Sequence, residues 1–165
     1  MIKTLRNIQS KILTLSNLQD KLNGLHQNKK MVFTNGCFDI LHKGHVEYLS
    51  QASDLGDIMI IGLNTDASVS RLKGSHRPLQ DQSSRALVMA SLSFVDYIVL
   101  FDEDSPYDLI KAIQPDVLVK GSDYKVEEVV GYDIVQAKGG RVETIALTEG
   151  YSTSNIEKKI QESLS

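Results

Sequence analysis

The chain has 165 residues, 41% hydrophobic and 24% charged, enough to bury one sizeable core in a single domain. A formal net charge of -3 provides no basic field to recruit nucleic acid. The single cysteine, Cys37, excludes an internal disulfide and suits a reducing cytoplasm.

The first stretch, MIKTLRNIQSKILTLSNLQ, contains no unbroken apolar run, so neither a signal peptide nor a membrane anchor is expected. Ile8, Ile12, Leu15, Leu18, Leu22 and Leu25 recur at threes and fours, which predicts a helical extension over residues 1–28. Ser16 and Gln19 read as a capping box that starts a helix near Asn17. The apolar stripe packs on the domain's own sheet or forms an arm for a homodimer; both readings stay open.

Met31 to Thr34 (MVFT) is a short β-prone run, followed by a helical pattern from Gly44 that stops at Gly56. Further apolar runs at Ile58–Leu63, Tyr97–Phe101, Asp116–Lys120 and Arg141–Leu147 read as strands buried on both faces. Helical stretches lie between them at Asp81–Phe94, Ser105–Gln114 and Val126–Lys138, and STSNIEKKIQESL predicts a capped helix at the end. Strands alternating with helices predict a Rossmann-like α/β domain, a five-stranded parallel sheet with helices on both faces. No repeat or linker divides it, so residues 1–165 are expected to form one domain with its catalytic core at 29–165.

Such sheets bind ligands beyond the carboxyl ends of their strands, where the strand order reverses. NGCFDILHKGH sits at that end of the first core strand and carries His42 and His45 around Lys43 and Gly44. Zinc would need three or four protein ligands, whereas the chain has no second cysteine and His26 and His76 lie in segments without a metal pattern. A pair of core histidines is the plain alternative, though an odd filling beside a lysine and a glycine. A phosphate cradle explains more. Unpaired N–H groups and the dipole at a helix start favour an anion. Gly36 and Gly44 allow tight turns and close backbone approach, and each histidine can donate to phosphate oxygens.

TNGCFDILHKGHVEYL resembles the strand–HxGH–helix signature of the nucleotidyltransferase superfamily that includes cytidylyltransferases and adenylyltransferases. A second motif of that superfamily, ISSTxxR, is matched by GYSTSNIEKKI at Ser152, Thr153 and Ser154, with Glu157 in the arginine's place. LNTDASVSRLKGSHRPL, DVLVKGSDYKVEEVVG and GGRV extend the likeness to the adenylyltransferase half of bacterial heptose kinase/adenylyltransferases, from about Lys11 to Ile160. No kinase half accompanies it here, so a stand-alone form is expected.

The resemblance implies transfer of a nucleotidyl group from ATP to D-glycero-beta-D-manno-heptose 1-phosphate, giving ADP-heptose and pyrophosphate, with magnesium accompanying the triphosphate. His42 and His45, assisted by Lys43, would stabilise the reacting phosphates. Asn35, Gly36, Cys37, Phe38, Gly44, Lys120, Gly121, Ser152, Thr153 and Ser154 would hold the nucleotide. The sugar phosphate would meet Asp39, Arg71, Lys73, Arg77, Arg85 and Asp123. Asp39 has a second reading as a local backbone cap, and Arg85, early in a helix, works against the dipole and wants an anionic partner. The expected partners are thus ATP or CTP and a sugar or polyol phosphate, with neither nucleic acid nor membrane. A CTP-dependent enzyme acting on glycerol 3-phosphate is the nearest alternative, and a non-catalytic nucleotide sensor is a remoter one. The first turn lacks G-x-G-x-x-G, which argues against a dinucleotide oxidoreductase.

Overall fold

A computed structural model describes residues 3–24, 29–122 and 125–164. The elements run α1 (Lys3–Gln9), β1 (Ile12–Leu13), α2 (Leu15–Asn23), β2 (Met31–Gly36), α3 (Lys43–Ser53), β3 (Ile58–Asn64) and α4 (Asp66–Lys73). They continue as α5 (Gln82–Ala90), β4 (Tyr97–Phe101), α6 (Tyr107–Ile113), β5 (Val117–Gly121), α7 (Tyr132–Ala137), β6 (Arg141–Ile145) and α8 (Thr153–Ser163). The strands form one sheet in the order β1-β4-β3-β2-β5-β6, and every pairing is parallel.

All five expected runs are strands, but the sheet has six. The addition is β1, whose Ile12 and Leu13 pair with Ile98 and Val99. A turn at Ser10 and Lys11 breaks what looks in sequence like one helical stripe. Lys11 then ties the edge down, its carbonyl accepting from the Ile98 N–H at 2.9 Å and its Nζ donating to the Val95 carbonyl at 2.6 Å. Helix α2 starts after Thr14, whose hydroxyl accepts from the Asn17 N–H at 3.2 Å, so Thr14 and not Ser16 is the cap. Leu18 and Leu22 are buried in the chain's own core, which occupies at those positions the face that could have served as a dimer arm. Leu25 and His26 lie outside the described residues.

Alternation along the strands builds a core on each side of the sheet. Met31, Phe33, Ile58 and Ile60 face α2 and α6 residues such as Leu18 and Ile110. Val32, Met59, Ile61 and Leu63 face α3 and α5 residues such as Leu49 and Met89. Every residue of β3 is buried, which is why its sequence reads as an unbroken apolar run. Truncating a fully buried member such as Leu49 to Ala is expected to cost about 2–5 kcal/mol.

Two helical assignments change. The stretch after β3 contains α4, capped by Thr65, whose hydroxyl accepts from the Ser68 N–H at 3.2 Å. The helix expected over 126–138 is split into a single 3-10 turn at Val126–Glu128 and the short α7. Gly131 makes the break: its φ is 90°, and a Cβ there would lie 2.8 Å from the Ile110 side chain. No described helix is long and apolar enough to cross a membrane. The strand order reverses between β2 and β5, because the chain moves outward from β2 through β3 and β4 and then returns to β2's other edge. The crevice at that switch point is where an open α/β sheet presents a site.

Candidate active site

Strand β2 ends in Asn35 and Gly36, and the chain then winds tightly into α3. Phe38 takes a φ of 44°, and its ring lies 2.9 Å from where a Cβ on Gly36 would stand. A side chain at Gly36 would collide with that ring, so the glycine permits the winding. His42 is the N-cap of α3. The His45 N–H donates to the His42 carbonyl at 2.9 Å and more weakly to His42 Nδ1 at 3.4 Å. With Nδ1 accepting, the neutral ring carries its proton on Nε2, on the side away from the helix backbone.

The two imidazoles stack, with centroids 3.7 Å apart and planes at 20°, and Phe38 meets His45 edge-on at 5.2 Å. Gly44 allows this packing: a Cβ there would come within 3.2 Å of both the His42 ring and Tyr151 Cβ. Burial, then the neighbouring His42, push the His45 pKa down to about 4. Burial also lowers that of His42. The Ile40 carbonyl opposes the shift at His45 only in part, and His45 Nδ1 is buried without a well-formed hydrogen bond. Both rings are therefore neutral at pH 7.

Two adjoining cavities open beside this stack. The larger, about 440 Å³, is lined by the ends of β2, β3 and β5 at Asn35, Gly36, Asn64, Lys120 and Gly121, with Cys37, Phe38, Tyr48 and Asp104 completing its walls. The smaller, about 250 Å³, is bounded by His42, Gly44, Thr148, Tyr151, Ser152 and Ser154. His45, Lys73, Leu147 and Thr153 line both, so they form two lobes of one site. Lys120 is aimed by Asn35, whose Oδ1 accepts from its Nζ at 2.6 Å. Lys73 is exposed and, among the described residues, makes no ion pair, while its charge acts on both Cys37 and His45. The Cys37 thiol is held above its ordinary pKa chiefly by burial, which keeps it protonated. Ser152 caps α8, its hydroxyl accepting from the Asn155 N–H at 3.1 Å, so that helix start points its free N–H groups toward the smaller lobe.

The candidate substrate contacts separate. Asp39 borders the larger lobe, but its carboxylate accepts from Arg77 Nη1 at 2.7 Å, the Leu79 N–H at 2.8 Å and the Gln80 N–H at 3.0 Å. Burial opposes its ionisation, yet those N–H groups and the Arg77 guanidinium hold the carboxyl below its usual range. It anchors the 77–80 loop, in keeping with the structural alternative for this residue. Arg85 is likewise engaged within the protein. It is 1% exposed and donates to Asp66 Oδ1 at 2.7 Å, the Cys37 carbonyl at 2.6 Å and the Gln80 carbonyl at 3.0 Å. Its anionic partner is Asp66.

Arg77 bridges Asp39 and Glu157. Arg71 donates to Asp104 Oδ1 at 2.8 Å and to the Asp102 carbonyl, at the rim of the larger lobe. Lys43 is exposed, 3.4 Å from Glu47 and 5.1 Å from the Tyr151 ring centroid, and lines a separate outer cavity with His42 and Lys159. Asp123 lies outside the described residues. Sequence reasoning missed Tyr48, Asn64, Asp104, Leu147 and Tyr151. Of these, Asn64 ends β3 beside the switch point and was findable by the strand-end rule. Tyr48 gives no such signal, since its place follows from a buried 2.8 Å hydrogen bond with Thr34.

No group of three or more His, Cys, Asp or Glu among the described residues could hold a metal. The stacked rings of His42 and His45 also lie face to face, where their nitrogens do not converge on one ion as zinc requires. Hydroxyls, lysines and N–H groups instead suit an anion, and a magnesium ion fits here as one carried on phosphate oxygens and water.

Residues 33–159 match the family described as cytidylyltransferase-like. The chain is 54% identical over 156 residues to the bifunctional protein HldE of Citrifermentans bemidjiense, covering 94% of this chain and 32% of that protein. It is 58% identical over 135 residues to HldE of Wolinella succinogenes, covering 82% and 28% respectively. The chain thus spans about a third of the length of these curated relatives. Among solved structures, a lipopolysaccharide core biosynthesis protein from Thermoplasma volcanium superposes with a TM-score of 0.61 at 29% identity, covering 76% of this chain and all of that one. The pantoate-beta-alanine ligase of Francisella tularensis shares the fold, with a TM-score of 0.62 at 16% identity over 92% of this chain and 77% of its own.

Proposed function

This chain belongs to the cytidylyltransferase-like family, and from that premise we propose that residues 29–165 transfer an adenylyl group from ATP to D-glycero-beta-D-manno-heptose 1-phosphate. A phosphate oxygen of the sugar attacks the α-phosphorus, the bond from that phosphorus to the bridging β-phosphate oxygen breaks, and pyrophosphate leaves. The attacking oxygen is already anionic, so no general base is required, and the site's task is alignment and charge stabilisation.

The observation that carries this reading is the stacked, neutral His42–His45 pair where the two lobes meet. Neutral His42 offers its Nε2–H without a charge that must be desolvated before the ligand arrives, and His45 gains a second donor when it takes up a proton. An arriving triphosphate favours the protonated forms and strengthens those hydrogen bonds. In the smaller lobe, Gly44, Ser152, Thr153 and Ser154 supply close backbone approach and hydroxyls for the phosphates. In the larger lobe, Asn35, Gly36, Cys37, Phe38 and Gly121 border space for the nucleoside, while Lys120, Asn64 and Asp104 can pair with sugar hydroxyls. Lys73, shared by both lobes, is suited to bridge the two phosphate groups as they react. Magnesium bound to the triphosphate would neutralise charge on the β- and γ-phosphates. The setting is proposed to be the cytoplasm.

The substrate pair is supported by likeness to HldE over nearly the whole chain and by the resemblance of RLKGSHRPL and VKGSDYKVEEVVG to heptose adenylyltransferases. Initial rates of pyrophosphate release test it. ATP with heptose 1-phosphate should exceed CTP with glycerol 3-phosphate by orders of magnitude, because sites built for hydroxyls reject substrates lacking them by up to about 10⁴-fold. A faster rate with CTP and glycerol 3-phosphate would transfer the assignment to the polyol cytidylyltransferases.

A further inference from the structure

Helix α8 begins at the hydroxyl cluster of the smaller lobe, yet it has no buried residue. Its apolar side chains are at most partly buried, as at Ile156, so polar contacts carry more of its attachment than they do for α3 and α5. The segment leading into it is pinned to α3 by the Thr148 hydroxyl, which donates to Glu47 Oε2 at 2.5 Å. The helix itself is held one turn further on, where Glu157 pairs with Arg77 Nη2. Glu157 follows Thr153 by four residues and Ser154 by three, so all three share one helix face.

Arg77 is well placed to act as the fixed partner. Its side chain is 9% exposed, and its Nη1 is held 2.7 Å from the buried Asp39 carboxylate. It also belongs to the loop that follows α4, on the wall that presents Lys73 to both lobes. The Arg77–Glu157 pair therefore joins the wall bearing Lys73 to the wall bearing Ser152–Ser154.

We propose that Glu157 is a positioning residue: through Arg77 it holds α8 so that the hydroxyls at its start face the phosphates of the nucleotide. This rests on the reading of the smaller lobe as a phosphate site. The sign of the effect separates it from simple electrostatics. A carboxylate near a polyphosphate repels it, so deleting a merely adjacent charge tightens nucleotide binding. Deleting a latch loosens α8 and weakens binding.

The test uses Glu157→Gln, with Glu157→Asp as the charge-conserving variant, and two readouts. Amide hydrogen exchange on the ligand-free protein should be roughly fivefold faster in α8 of Glu157→Gln, unchanged in β2 and β3, and intermediate in Glu157→Asp. ATP affinity by calorimetry should fall by roughly fivefold in Glu157→Gln and be partly restored in Glu157→Asp. Unchanged α8 exchange, or tighter ATP binding in Glu157→Gln, would overturn the proposal. The exchange readout needs no turnover, so faster α8 exchange in a protein inactive on heptose 1-phosphate would support the latch while removing the substrate assignment.

Discussion

Acidification should destabilise this fold through one identifiable side chain, His45. Its pKa is pushed down from 6.5 to about 4 by burial and then by the neighbouring His42 ring. In the unfolded chain the same imidazole takes up a proton near 6.5, so between those values the unfolded state binds more protons. The stabilisation is fully present above pH 6.5, falls as the pH drops through the window to about 4, and levels off below it. At 1.36 kcal/mol per unit the whole effect is at most about 3–4 kcal/mol, and about 2–3 kcal/mol of it is lost by roughly pH 4.5. Carboxylates such as Asp39, also held below their usual range, add their own acid sensitivity, so the comparison must isolate the histidine. Urea denaturation of the wild type and of His45→Gln at pH 7.5 and 4.5 does so, since Gln keeps an N–H donor but does not titrate. The wild type should lose about 2 kcal/mol more than the variant between the two pH values. Parallel losses, within about 0.5 kcal/mol, would mean that His45 is not held neutral and that the donor argument built on it is wrong.

Replacing either His42 or His45 with Ala should lower kcat about a hundredfold or more while leaving the circular dichroism unchanged; unfolding of both would favour a core role for the pair. Arg85→Ala should cost about 2–3 kcal/mol by denaturant titration, because the Cys37 and Gln80 carbonyls lose their buried donor while the part-exposed Asp66 can be rehydrated; a change below about 1 kcal/mol would contradict the structural role of Arg85. Turnover should vanish on chelation and return with magnesium, and elemental analysis should find no stoichiometric zinc; zinc retained by the wild type and lost in His42→Ala would reverse the ranking of phosphate over metal.

The strands were legible because parallel strands covered on both faces carry continuous apolar runs, as in Ile58–Leu63. β1 was not legible. Two residues have no periodicity, and Ile12 and Leu13 become a strand only because β4 offers an edge to them. The cap of α2 was misplaced for a related reason: Ser16 and Gln19 satisfy a local pattern, but leaving β1 puts the extended residue at Thr14. Within the site, the position of His42, His45 and Gly44 at a strand-to-helix turn could be read directly. Their stacking could not, since it depends on Phe38 meeting His45 edge-on and on the close packing that Gly44 permits. The cations show the limit most clearly. Arg85 at a helix start signalled a need for an anion, but spacing could not reveal that Asp66 meets it. In the same way, local reasoning foresaw a backbone role for Asp39, while its partners lie about forty residues away at Leu79 and Gln80.

The central claim is a substrate pair, and a one-pot competition addresses it. The protein is incubated with equimolar ATP, CTP, GTP and UTP, magnesium, heptose 1-phosphate and glycerol 3-phosphate, and the products are read by mass spectrometry. ADP-heptose should dominate, with pyrophosphate in equal amount and both lost in His45→Ala. CDP-glycerol as the main product, or ADP-heptose formed equally well by His45→Ala, would contradict the account.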